Sequence, residues 1–284
     1  MNSPNQREMA ERSTILRVPA GSTVLGLNLP GKDDRDEVGV CVESMEAAVG
    51  FSEFEQFIYR TAAEREGKHD APSRPDDLDL VIYSLRKFLR LAMQGNPQII
   101  QCLFVPKEQC LVRDEKGEQL QNLAPLIISR HAGARYLGYL ESQRQRLLGE
   151  RGQKKVNRPE LEEKFGYDTK YAMHILRLGF QGVELLTTGK LVLPIPEEYR
   201  KFIYATRLGE VPLQDVLTKA GELERQIKDL LMDAPIPAEP DRDSIQAWMI
   251  RTYRDRWAVK CSNHGTSYLP TWCKVCKRIM EGKE

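Results

Sequence analysis

The chain has 284 residues, 41% hydrophobic and 29% charged, with 42 basic and 41 acidic side chains and a net charge of +1. That composition supports a real core and excludes a globally basic nucleic-acid binder, so any nucleic-acid contact must rest on local patches. No apolar run approaches the ~20 residues of a membrane span, and the first twenty residues lack the apolar stretch of a signal peptide. The chain therefore reads as cytoplasmic, with no membrane partner.

Residues 1–12 are polar and read as disordered, and residues 15–18 form a short strand or helix end that feeds Gly21-Ser22. A Gly-Ser turn lets backbone N–H groups and the Ser22 hydroxyl face a phosphate, a close approach that needs glycine. Eleven residues separate Ser22 from Asp34-Arg35-Asp36. Residues two apart in a strand share a face, so Asp34 and Asp36 would stand side by side. Two adjacent carboxylates repel unless a cation sits between them, and Mg²⁺ is commonly held by one or two carboxylates plus substrate phosphates. The same stretch, flanked by Pro30-Gly31 and Gly39, also suits a solvated turn. Residues 38–42 then carry the strand into the core.

Residues 51–76 read as an aromatic loop or short strand followed by a hairpin tip. Asp79 stands between Leu78 and Leu80 at the head of a β-rich run. An acid in an apolar run costs free energy unless it is paired or metal-bound, which favours the carboxylate reading over the turn. Residues 85–92 have helical spacing, and Gly95-Asn96-Pro97 ends that helix. Residues 99–105 are predicted as a buried strand. Cys41, Cys102 and Cys110 sit in apolar contexts as core thiols.

From about residue 126 the pattern is helical. Residues 132–148 form a long helix that ends in a basic run with Arg144, Arg146, Arg151 and Arg158, best read as solvated. Asp168 is placed to cap the next helix, where Lys170, His174 and Arg177 recur at i, i+4 and i+7 on one face. Ala172, Ile175, Leu176 and Phe180 occupy the other side. Three basic groups on one stripe suit a triphosphate or a nucleic-acid backbone; a histidine such as His174, taken alone, is more often a hydrogen-bonded core residue. Residues 184–194 are expected as a helix end, a turn and a short strand, and residues 213–231 as a helix with surface ion pairs. Residues 234–240, with three prolines, read as a stiff linker.

Beyond the linker, Cys261-x-x-His264 and Cys273-x-x-Cys276 are separated by eight residues. Three thiolates and an imidazole in two short knuckles make a structural Zn²⁺ site with every position taken. Nearby Trp257, Tyr268 and Trp272 among arginines and lysines would either stack bases or simply pack the small module.

Gly21-Ser22, a spacer of about a dozen residues, Asp34-x-Asp36 and a later apolar-Asp79-apolar resemble the DNA polymerase beta superfamily of nucleotidyltransferases. Residues 84–92, Gly95-Asn96-Pro97 and residues 166–174 are similar to its RNA-repair-pathway branch of bacteria and phages. The likeness spans roughly residues 15–230. It implies an α+β fold with a mixed-sheet catalytic domain over 13–125 and a helical domain over 126–233; the zinc-binding tail over 241–284, read from its Cys and His spacing, follows the linker. It also implies transfer of a nucleotidyl group from a nucleoside triphosphate, such as ATP, to an acceptor hydroxyl, with RNA the favoured acceptor. Asp34, Asp36 and Asp79 would hold Mg²⁺ and act as the catalytic carboxylates, while Gly21, Ser22, Lys170, His174 and Arg177 would bind the nucleotide. Two departures stand out. Arg35 lies where relatives have a hydrophobic residue, and Gln101 where they often have a glutamate. Those two support a rival reading, a non-catalytic nucleic-acid-binding or regulatory module on the same fold.

Overall fold

Residues 4–29, 35–51, 54–68, 71–150, 158–260 and 267–268 are described by a computed structural model of the chain. Residues 4–12, expected to be disordered, form helix α1 (Pro4–Arg12), with Ala10 buried and Arg7–Glu11 and Glu8–Arg12 paired one turn apart. Strand β1 (Thr14–Pro19), the short helix α2 (Gly21–Leu25) and strand β2 (Arg35–Cys41) follow. Helix α3 (Met45–Val49), strand β3 (Gln56–Arg60) and helix α4 (Thr61–Glu66) precede strand β4 (Leu78–Ser84). Helices α5 (Leu85–Met93) and α6 (Pro97–Cys102), strand β5 (Val112–Arg113) and helices α7 (Glu115–Gln121) and α8 (Ala124–Ile127) follow. The remainder is helical: α9 (Arg130–Leu147), α10 (Pro159–Phe165), α11 (Thr169–Thr188), α12 (Glu197–Leu208), α13 (Leu213–Asp233) and α14 (Arg242–Trp257). Two short strands, β6 (Val259–Lys260) and β7 (Ser267–Tyr268), pair antiparallel.

The five-stranded sheet has the order β3-β4-β2-β1-β5. Strands β2 and β4 are parallel and the other neighbours antiparallel, so the sheet is mixed. A parallel pair needs a crossover of a dozen or more residues, and residues 42–77 supply it. Residues 37–41 of β2 are all buried, as a strand inside a sheet requires. Arg35 does not upset this register. It is the first residue of β2, its side chain is exposed, and it donates to Glu37 at 3.2 Å.

Residues 99–102, expected to open a buried strand over 99–105, lie in α6 instead. The Asn96 side chain accepts from the amides of Gln98 and Ile99 at 3.0 and 3.3 Å, with Pro97 in the first turn. Asn-Pro here therefore opens a helix as well as closing the one before it. Ile99 and Ile100 are apolar because α6 is buried, and a short apolar run has no period to tell helix from strand. Residues 190–195 are likewise not a strand. Leu191, Leu193 and Ile195 alternate inward, but the Val192 amide binds the Glu184 side chain and the Ile195 amide binds the Leu25 carbonyl.

Helix α11 sits in the middle of the helical half, packed on α9, α12 and α13. Its Gly179 leaves the gap that the Leu223 side chain fills; a Cβ there would lie 2.7 Å from that leucine. Residues 234–241 do not stand free. The Arg130 and His131 amides donate to the carbonyls of Pro237 and Ala238, and the Asp241 amide to that of Leu126. Helix α14 then returns to the sheet side. The Tyr253 hydroxyl donates to Glu43 at 2.8 Å and accepts from the Arg86 amide, and the Trp257 indole donates to the Glu43 carbonyl at 2.9 Å. Trp257, stacked on Tyr253, is thus occupied in packing. No helix among the described residues is long and apolar enough to cross a membrane.

Candidate active site

Strand register does most of the positioning. In the parallel pair of β2 and β4, Asp36 lies opposite Asp79. In the antiparallel pair of β3 and β4, Arg60 lies opposite Asp79 on its other side. Side chains at registered positions of neighbouring strands share a face, so Asp36, Asp79 and Arg60 form one row across three strands. Arg60 Nε donates to both Asp79 oxygens at 3.1 Å, and its Nη2 donates to the Ala71 carbonyl and to Ser73 Oγ. Ser73 Oγ in turn donates to Asp79 at 3.3 Å. Glu37 points to the opposite face, where it is buried and paired with Arg17 and Arg35.

Helix α2 places Gly21 directly on the Asp36 carboxylate. A Cβ at Gly21 would run into Asp36 Oδ2, and Gly21 itself has φ +63°. Both the space and the left-handed backbone call for glycine here. The Ala20 amide donates to the Asp36 carbonyl at 2.8 Å, tying the turn to the strand.

Across from this turn stands α11. The Asp168 carboxylate caps it, accepting from the amides of Lys170 and Tyr171 at 2.9 and 3.1 Å. A cavity of about 390 Å³ is lined by Gly21, Ser22 and Asp36 on one wall and by Lys170, His174 and Arg177 on the other. Six sequence-predicted residues, from segments nearly 140 positions apart, thus share one cavity. Asp79 lies one strand away from Asp36, outside that lining. Asp34 and the four tail ligands Cys261, His264, Cys273 and Cys276 lie outside the described residues.

The cavity is electropositive on its helical wall. Burial and the cations Arg177, Lys170, Arg158 and Arg207 pull the His174 pKa down to about 3, so its imidazole is neutral at neutral pH. Burial also lowers the Arg177 pKa, yet the guanidinium stays charged. Among the described residues no carboxylate lies within ion-pair distance of it. Its Nη1 donates to Gln181 Oε1 at 3.0 Å, while its buried Nε has no protein partner. A crowded cation without a counter-charge is costly unless an anion completes it.

Several participants carried no usable sequence signal. Gln98 and Gln101 also line the cavity. Gln101, buried on α6, donates to Gln181 at 3.0 Å and so clamps α6 to α11. Arg158, expected in a solvated run, pairs with Asp168 at 3.0 Å at the head of α11. Gln101 stands out in the sequence only as a departure from the resemblance, and Gln181 only as the residue one helical turn after Arg177.

Asp36 and Asp79 together offer hard oxygen donors on one face, a set that fits Mg²⁺ shared with substrate phosphates. Among the described residues, no group of three or more His, Cys, Asp or Glu side chains gathers as a self-sufficient metal cage.

A mixed sheet with this carboxylate row, facing a cationic helix, sets the chain among the polymerase-beta-like nucleotidyltransferases. It belongs to the RNA repair pathway DNA polymerase beta family, whose model matches residues 4–234. No curated protein matches the chain. Among solved structures, a nucleotidyltransferase-like protein from Exiguobacterium sibiricum 255-15 aligns over 95% of this chain and 97% of its own. Identity is 12% and the TM-score is 0.28, a likeness too loose to carry an argument.

Proposed function

We propose that the protein transfers a nucleoside monophosphate from a nucleoside triphosphate to a hydroxyl, with a nucleic-acid acceptor, RNA foremost. One observation carries this reading. The partly buried Arg177 and its neighbour Lys170 face Asp36 and the Gly21-Ser22 turn across a cavity of triphosphate-binding size. A cationic wall opposite a carboxylate wall suits a phosphate chain carrying divalent metal, because each wall then meets its opposite charge.

In this reading Asp36 and Asp79, with Asp34, hold Mg²⁺. When bound, Mg²⁺ neutralises the phosphates and lowers the pKa of the attacking hydroxyl. Backbone amides at Gly21 and the Ser22 hydroxyl orient the phosphate chain. Lys170 and Arg177 take the negative charge that builds on the departing pyrophosphate. His174, neutral, donates or accepts a hydrogen bond without adding charge. The acceptor oxygen bonds to the α-phosphorus, the bond from that phosphorus to the bridging oxygen breaks, and the hydroxyl proton leaves towards Asp79. Positioning and charge neutralisation supply most of the rate. Arg60 orients Asp79 by holding both oxygens.

Thermal unfolding of the full chain checks this reading. Each nucleoside triphosphate with Mg²⁺ is titrated, as are Mg²⁺ alone and an RNA oligonucleotide alone. A ligand present at a hundred times its dissociation constant stabilises by about 2.7 kcal/mol, so Mg²⁺ with triphosphate should raise Tm by several degrees. A shift with the oligonucleotide only would replace the transferase reading by that of a nucleic-acid-binding module.

We propose further that the tail binds one Zn²⁺ through Cys261, His264, Cys273 and Cys276. Helix α14 packs on the main core, but the two dozen residues from 261 to 284 are too few to build a core of their own, and metal cross-links are the usual remedy. Elemental analysis should return one zinc per chain. Chelation should expose the tail to protease and leave the Mg²⁺-triphosphate shift unchanged, because the proposed nucleotide-binding residues all precede residue 234. Zinc-free protein with a protease-resistant tail would rule the site out.

A further inference from the structure

Another cavity, of about 610 Å³, shares no residue with the one that Asp36 lines. Residues 103–105, just after α6, and residues 188–190, at the end of α11, supply two of its walls. The carboxylate-lined cavity takes earlier residues of the same two helices, Gln98 and Gln101 from α6 and Lys170 to Arg177 from α11. Arg113 of β5, the corner between α7 and α8, and the proline segment at Ile236 and Pro237 complete the second cavity.

Hydrogen bonds hold these walls in place without a ligand. Gln121 Nε2 donates to the carbonyls of Cys102 and Val105 at 3.2 and 3.0 Å, and Arg113 Nε donates to Gln121 Oε1 at 2.7 Å. The amides of Arg130 and His131 fix the proline segment through the carbonyls of Pro237 and Ala238. Sites for small molecules are typically pre-formed clefts of about 300–1,000 Å³, mostly apolar with a few placed polar groups. The lining has that character. Leu103, Phe104, Val105, Ile128 and Ile236 give it apolar walls, and Phe104 and Ile236 are only half-buried. Its charged side chains are Lys107, Arg113 and Lys190, from three separate segments, with no acid among the lining residues. Arg113 is shared with Glu118 at 3.1 Å. The Lys107 and Lys190 ammonium groups are exposed and have no ion-pair partner among the described residues.

We infer that this cavity binds a small organic anion, its apolar ring system against Phe104 and the aliphatic walls and its acidic group held by Lys107 and Lys190. Apolar walls alone would accept any hydrophobic molecule of the right size. The two ammonium groups select one that carries a carboxylate or a phosphate, because a charge-assisted hydrogen bond then forms where a neutral ligand leaves only water. A ligand with a cationic group would meet three like charges.

The test is fluorescence titration of the full chain with anilinonaphthalene sulfonate and with N-phenylnaphthylamine, which has the same rings without the charge. Wild type should take up one sulfonate per chain, at least about tenfold more tightly than the neutral parent. Changing Lys107→Gln together with Lys190→Gln should weaken the sulfonate about tenfold and leave the parent unchanged. Asn122→Trp, which brings a large ring into the cavity from an exposed lining position, should abolish binding of both. Tm should stay at the wild-type value in both variants, because these three side chains make no hydrogen bond or ion pair among the described residues. Naphthoate and naphthyl phosphate are then set in competition with the sulfonate, and the stronger competitor identifies the acidic group. Sulfonate bound no more tightly than its parent, binding that survives Asn122→Trp, or an affinity unmoved by the double lysine change would each overturn the inference. So would failure of both naphthyl anions to compete. If Asn122→Trp did not fold, the double lysine variant would decide alone.

Discussion

Asp36→Asn is expected to abolish measurable nucleotidyl transfer while leaving the sheet intact. Asn keeps the shape that packs on Gly21 but removes the charge that a metal-phosphate complex needs. Losing one such electrostatic contact in an enclosed site costs about 100- to 1,000-fold in rate. The adjacent residue provides the contrast. Glu37 faces the other side of the sheet, buried and paired with Arg17 and Arg35. Glu37→Gln should therefore destabilise the fold by about 1–3 kcal/mol, the loss of a charge-assisted contact at a buried site, and leave transfer per folded molecule near wild type. Urea unfolding and a labelled-triphosphate assay on the two variants separate these roles. Transfer within twofold of wild type in Asp36→Asn would remove Asp36 from the reaction.

The pair also shows what the sequence makes legible. Strand alternation sets Asp36 on the face opposite Glu37 and, in the sequence, beside Asp34, which lies outside the described residues, and helical spacing sets Lys170, His174 and Arg177 on one stripe; both are local periodicities. The cavity they share joins these two local facts through sheet register and helix packing, which no short window contains. Where local signals were ambiguous, reading them alone misplaced the chain. Ile99 and Ile100 are apolar because α6 is buried, and burial looks the same in a helix as in a strand. The alternation at Leu191, Leu193 and Ile195 was real, yet its amides found partners outside any sheet. Arg60 illustrates a third case. It lies 19 residues before the acid it holds, and only the antiparallel register of β3 and β4 brings them together. Gln101 departs from the glutamate that the resemblance suggests, and its role, a hydrogen bond to Gln181 across the α6–α11 seam, depends on a contact 80 residues away.

Arg177→Met should weaken triphosphate binding by about 10- to 100-fold without lowering stability. Hydrogen bonds to charged groups contribute about 1.5–3 kcal/mol, and each 1.4 kcal/mol is a factor of ten in affinity. Against that loss stands a gain in the unliganded protein. Arg177 holds a charge in a crowded site with no carboxylate at ion-pair distance among the described residues, and its Nε is unsatisfied. Replacing a charge that lacks a counter-charge with an apolar side chain of similar length relieves the cost of holding it out of water. The variant does give up the bond from Nη1 to Gln181, but Gln181 Oε1 keeps the donor from Gln101. Affinity and stability should therefore move in opposite directions, a pattern that a purely structural arginine does not produce. Titration calorimetry with Mg²⁺ and ATP gives the first quantity and urea unfolding of the unliganded chain the second. A less stable protein whose folded fraction binds ATP as tightly as wild type would assign Arg177 to the scaffold, and with it the anion-binding role of the α11 stripe would fall to Lys170 alone.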